Sequence, residues 1–91
     1  MIKFSKDEFI EELVAEMDGY EEITKDHKQT FLANLDKYIE TTKDKNKRIS
    51  KSANSITIKL EDESELFEIV DKYYSAIVNE ELDLYWLNWK L

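Results

Sequence analysis

The chain contains no cysteine and no proline, and glycine occurs once among its 91 residues. Without cysteine there is no disulfide framework, no thiolate zinc site and no cysteine nucleophile, and the composition suits a reducing compartment. With so few breakers, no composition shift marks a flexible linker, and no internal repeat is visible. Apolar runs are only a few residues long, so no segment is predicted to span a membrane. Met1, Ile2, Lys3, Phe4 and Ser5 lead straight into charges. That resembles neither a signal sequence nor a transit peptide, and a cytoplasmic location is the expectation.

What is present is 42% hydrophobic and 37% charged residues, apolar enough to fold and too apolar for a disordered tail. Residues 1–91 are expected to form one domain, with roughly 60 to 65% of the unfolded surface buried. Stability should be modest, so a binding partner would add to it. The net charge of −8 is unevenly placed. Residues 1–24 carry −6, residues 25–42 are neutral, residues 43–60 carry +5 and residues 61–91 carry −7.

Ser5 and Glu8 have the spacing of a capping box, and Phe4 and Phe9 that of a hydrophobic staple. Phe9, Ile10, Leu13, Val14 and Met17 repeat at helical spacing, which predicts a helix over residues 6–18, ended by Gly19 in the left-handed conformation. Thr24 is the next N-cap. Phe31, Leu32, Leu35, Tyr38 and Ile39 give a helix over residues 25–42, so the first two helices form a helical hairpin. Residues 43–55 are polar and lysine-rich, a loop with room for a short strand over 48–51. Ile56, Ile58 and Leu60 alternate with Thr57 and Lys59, the period of a strand with one buried face. Asp62 and Glu65 read as a second capping pair before a helix bearing Leu66, Ile69, Val70, Tyr73 and Ile77. Residues 82–91 fit either period. A strand is favoured, because the strand at 56–60 needs a partner and residues 1–4 alone are a short edge. The expected fold is α+β, three helices with a small sheet in the order (β)-α-α-β-α-β.

The search for chemistry finds no catalytic set. His27 is the only histidine and sits among surface-type residues, so it reads as solvated. Glu61, Asp62, Glu63 and Glu65 crowd a helix start, but without the alternate-position spacing and glycine of a calcium loop. Acids there favour the positive end of the helix dipole. Lys59 ends its strand as in nucleases of the Asp, Glu-x-Lys kind, yet Thr57 stands where the carboxylate is required. Phosphate loops, nucleotide-binding glycines and serine nucleophile motifs are missing. No enzyme activity, metal or cofactor is expected.

Three surfaces remain. Glu8, Glu12 and Glu16 stack at four-residue spacing with Asp7, Glu11 and Asp18 beside them and Glu21 and Glu22 following, and no lysine interrupts the row. Each like-charge pair costs about 0.2 to 0.5 kcal/mol in an isolated helix. Read blandly, this is a solvated face partly neutralised by residues 43–51; read functionally, it offers carboxylates to a basic groove on a partner protein, as nucleic-acid phosphates would. The second surface is Lys43, Lys45, Lys47, Arg48 and Lys51, a basic patch without interleaved aromatics. In an acidic chain it makes direct nucleic-acid binding unfavoured. The third is Tyr85, Trp86 and Trp89, either core or a surface for homodimerisation or partner docking. The leading expectation is a small acidic non-enzymatic protein-binding module, an inhibitor of the phage anti-defence, antitoxin or immunity type by analogy of composition alone. The alternative is a nucleic-acid-associated regulatory protein using the basic loop.

Overall fold

A computed structural model of the chain describes residues 1–42, 47–89 and 91. The elements are β1 (Ile2–Ser5), α1 (Lys6–Met17), α2 (Lys25–Thr41), β2 (Ile49–Lys51), β3 (Ile56–Leu60), α3 (Ser64–Val78) and α4 (Leu82–Leu87). The fold is α+β, with a three-stranded antiparallel sheet in the order β1-β3-β2.

The helix starts follow their local chemistry. Ser5 Oγ accepts from the Glu8 amide while the Glu8 carboxylate accepts from the Ser5 amide, and the Phe4 and Phe9 rings meet at 6.2 Å. At α2, Thr24 accepts from the His27 amide, and His27 Nδ1 accepts from the Thr24 amide at 3.2 Å. His27 is therefore half of a capping box and half-buried, where a solvated side chain was expected. Helix α3 departs from the expected pair. Asp62 takes the Ser64 amide, and Glu65 reaches back to the Glu61 amide at 2.8 Å, so the box is replaced by two offset bonds.

Two turns exchange the roles the sequence suggests. Gly19 does not adopt a positive φ. Helix α1 instead tightens at its end, Gly19 and Tyr20 donating to the carbonyls of Glu16 and Met17, and this needs no left-handed residue. The left-handed residue is Glu80, at φ 57°. Its amide bonds to Ile77 O, and the Glu81 amide to Ala76 O at 2.8 Å, the Schellman pattern with glutamate in the glycine position.

That turn sends the chain into α4, correcting the strand expected at 82–91 and making four helices among the described residues where three were expected. The reason is topological and side-chain based. Strand β3, whose want of a partner argued for a strand at 82–91, already has one on each side. Leu82, Tyr85, Trp86 and Trp89 instead use their helical spacing to pack on the core.

The core is one cluster: Phe9, Leu13 and Met17 from α1, Phe31, Leu35 and Ile39 from α2, Ile49, Ile58 and Leu60 from the sheet, and Leu66, Val70 and Tyr73 from α3. Each such side chain contributes about 1.5 to 3 kcal/mol on burial. Its polar demands are met, since the Tyr73 hydroxyl donates to His27 O at 2.8 Å. On the sheet's other face, Lys3 pairs in register with Lys59, and Thr57 lies between Ser5 and Ser50.

Candidate functional site

Helix α1 buries Phe9, Leu13 and Met17, which fixes what its other side presents. Glu8, Glu11 and Glu12 are exposed and Glu16 is half-buried, all on a helix whose only base, Lys6, turns away to Asp36 on α2 at 2.8 Å. At 1.5 Å per residue, Glu8, Glu12 and Glu16 climb the helix in steps of about 6 Å. Glu21 and Glu22 continue the acidity, fully outside, in the loop to α2. Among the described residues none of these six carboxylates is in an ion pair, whereas Asp18, just past the end of α1 on the same acidic face, is held by Lys28 of α2. Glu8 alone has an assigned local task, and the Ser5 amide it accepts from lowers its pKa.

Neutralisation by the basic segment is not what its described members do. Arg48 pairs with Glu65 at 2.6 Å, which ties the entry of β2 to the start of α3 and holds Glu65 below the usual carboxylate range, with the Glu61 amide assisting. Lys51 Nζ donates to Glu40 O and Thr42 O, placing a cation on the C-terminal carbonyls of α2. Lys47 is exposed, and Lys43 and Lys45 lie outside the described residues. Of the described bases, Arg48 and Lys51 are thus engaged by two different elements, α3 and α2.

A pair that the sequence alone did not suggest is Lys3 and Lys59, directly opposed across β1 and β3. Like charges in that relation destabilise a sheet. Recognising them requires the β1–β3 register, although the alternation in each strand already assigns both to the face away from Ile58 and Leu60.

Tyr85, Trp86 and Trp89 face inward and are half-buried. Trp86 packs at a tilt on Phe31 at 5.3 Å and on Tyr73 at 5.6 Å, and Trp89 meets Tyr38 edge-on at 4.7 Å. The Tyr85 hydroxyl accepts from Trp89 Nε1 at 3.0 Å and donates to Ile69 O at 3.1 Å; burial pushes its pKa up. What this arrangement leaves outside is Leu84 and Leu87, 55% and 79% exposed. Grooves flank α4 on two sides. The larger, about 560 Å³, runs past Arg48, Glu65, Ile69, Lys72 and Tyr85; the smaller, about 220 Å³, lies between Lys37, Tyr38 and Thr41 on α2 and the two tryptophans.

The larger groove holds titratable groups, but Glu65 is engaged by Arg48 and the Tyr85 phenol is engaged as donor and acceptor. Among the described residues no three His, Asp or Glu side chains are arranged to hold a metal ion. Nor, among them, is any helix long and apolar enough to cross a membrane. Comparison with protein-family models, curated proteins and solved structures finds no match to this chain.

Proposed function

We propose that the chain is a non-enzymatic protein-binding module, a small acidic inhibitor that acts in the cytoplasm by occupying a basic, nucleic-acid-binding-type surface of a partner protein. The observation that carries this reading is the carboxylate row of α1, Glu8, Glu11, Glu12 and Glu16, continued by Glu21 and Glu22 and without an ion pair among the described residues. Self-repulsion makes such a row a cost to the free chain, and a cationic groove would turn the same charges into attraction and a fast on-rate. By composition, phage anti-defence, antitoxin and immunity proteins are the classes of inhibitor it fits. The rival reading, nucleic-acid binding through the basic loop, has less support, because Arg48 and Lys51 already serve Glu65 and the end of α2.

The test is capture from a nuclease-treated cell lysate, comparing the wild-type chain with a variant carrying Glu11→Gln, Glu12→Gln and Glu16→Gln. Glu8 is kept because it caps α1. The expected result is a basic protein retained by wild type, released by salt and not retained by the variant. Equal retention by the variant, or capture of nucleic acid alone before nuclease treatment, would refute the reading.

A further inference from the structure

We propose that two copies of this chain associate through α4, packed antiparallel about a two-fold axis. Leu84 and Leu87 lie three residues apart on the outward side of α4, so they form one apolar ridge, and their exposures of 55% and 79% are high for leucine in a folded chain. The inward side of the same helix is fully occupied by Leu82, Tyr85 and Trp86, so the ridge cannot turn inward without losing that packing. Between α4 and α2 lies the groove of about 220 Å³ lined by Lys37, Tyr38, Thr41, Trp86 and Trp89, apolar at its tryptophan wall and open to a side chain from outside.

The charges around the ridge decide the occupant. Trp86 meets Phe31, Trp89 and the Leu91 amide just past the end of α4 meet Tyr38, and Lys37 lines the same groove as Trp86 and Trp89. Lys37 therefore stands by the C-terminal end of α4, whereas Glu80, Glu81 and Asp83 stand at its N-terminal end, all exposed. Lys37 has no ion pair among the described residues. An antiparallel two-fold sets the acidic end of each α4 against Lys37 of the other copy, twice over, with Leu84 and Leu87 between. A surface that is apolar in the middle, acidic at one end and basic at the other is self-complementary under a two-fold. The net charges of −8 repel at a distance, but at 0.15 M salt the field is screened within about 8 Å, leaving local pairing to act at contact. The inference is independent of the role given to α1.

Sedimentation equilibrium on the full chain tests it. Wild type should show a concentration-dependent dimer, and Leu84→Ser with Leu87→Ser should raise the dissociation constant by about tenfold or more while the cooperative melt persists, since neither residue is core. Lys37→Glu alone and Asp83→Lys alone should each weaken the dimer. Mixing those two variants should restore association, because each then meets its opposite charge across the axis. A wild-type monomer at all concentrations up to about 1 mM would overturn the proposal. So would a dimer unaffected by the double serine variant, or a failure of the mixed variants to associate better than either alone.

Discussion

Replacing Tyr85 with phenylalanine removes one oxygen and probes why residues 82–91 belong to the fold. That oxygen donates to Ile69 O at 3.1 Å and accepts from Trp89 Nε1 at 3.0 Å, so it links α3, α4 and the last tryptophan. Each lost hydrogen bond is worth about 1 kcal/mol net, and the half-buried indole N–H left without its acceptor adds up to about 1 kcal/mol more. The expected loss is about 2 to 3 kcal/mol, from a total of about 5 to 14 kcal/mol for a chain of this length. With a urea m-value of about 1 to 2 kcal/mol/M, the midpoint should fall by about 1 to 3 M. Tryptophan fluorescence and far-ultraviolet circular dichroism would follow the transition at one low protein concentration, so that self-association does not contribute. Crossing Tyr85→Phe with Trp89→Phe in a double-mutant cycle should return a coupling of about 1 kcal/mol. A Tyr85→Phe midpoint within about 0.2 M of wild type would refute the assignment of this hydroxyl as a structural link.

Glu80→Gly should stabilise the chain by about 0.5 to 1 kcal/mol in the same urea assay, because glycine tolerates the left-handed position that glutamate now fills; Glu80→Ala should give no such gain. Acid should destabilise the fold. Glu65, beside Arg48, and Glu8, on the Ser5 amide, have folded pKa values below their unfolded ones, so their contribution is present above about pH 4.3 and is lost as pH falls through the folded values. Glu65→Gln should flatten that acid limb in melts taken from pH 6 to 3. Alkali acts with the opposite sign. Burial holds Tyr73 at about 12 against about 10 unfolded, so stability should decline from about pH 10 to 12, with tyrosinate absorbance from Tyr73 and Tyr85 emerging only as the chain unfolds.

The local features were readable because their causes are local. Ser5 with Glu8, Phe4 with Phe9, and Thr24 at its cap all lie within a few residues of their partners, and the period of Ile56, Ile58 and Leu60 reports one buried strand face directly. His27 escaped because an imidazole is a rarer reciprocal cap than a glutamate or glutamine. The 82–91 segment escaped because its residues satisfy both periods, and only the pairing of β3 with β1 and β2 removes the need that argued for a strand there. The acidic row of α1 was legible as spacing. Whether bases answer it was not, since Arg48 and Lys51 find Glu65 and the end of α2 through tertiary contacts. Lys37 draws meaning only from the groove it shares with Trp86 and Trp89, which no sequence period encodes.

The central claim is that the carboxylates of α1 stand in for nucleic-acid phosphates on a partner. Its most direct measurement is displacement of a labelled DNA duplex from the captured basic protein, titrated with the wild-type chain and with the Glu11→Gln, Glu12→Gln, Glu16→Gln variant. Wild type should release the duplex with a potency that falls as salt is raised, and the variant should need about tenfold more protein or fail altogether. Equal displacement by the variant, or a ternary complex in which duplex and chain sit on the partner together, would contradict the account.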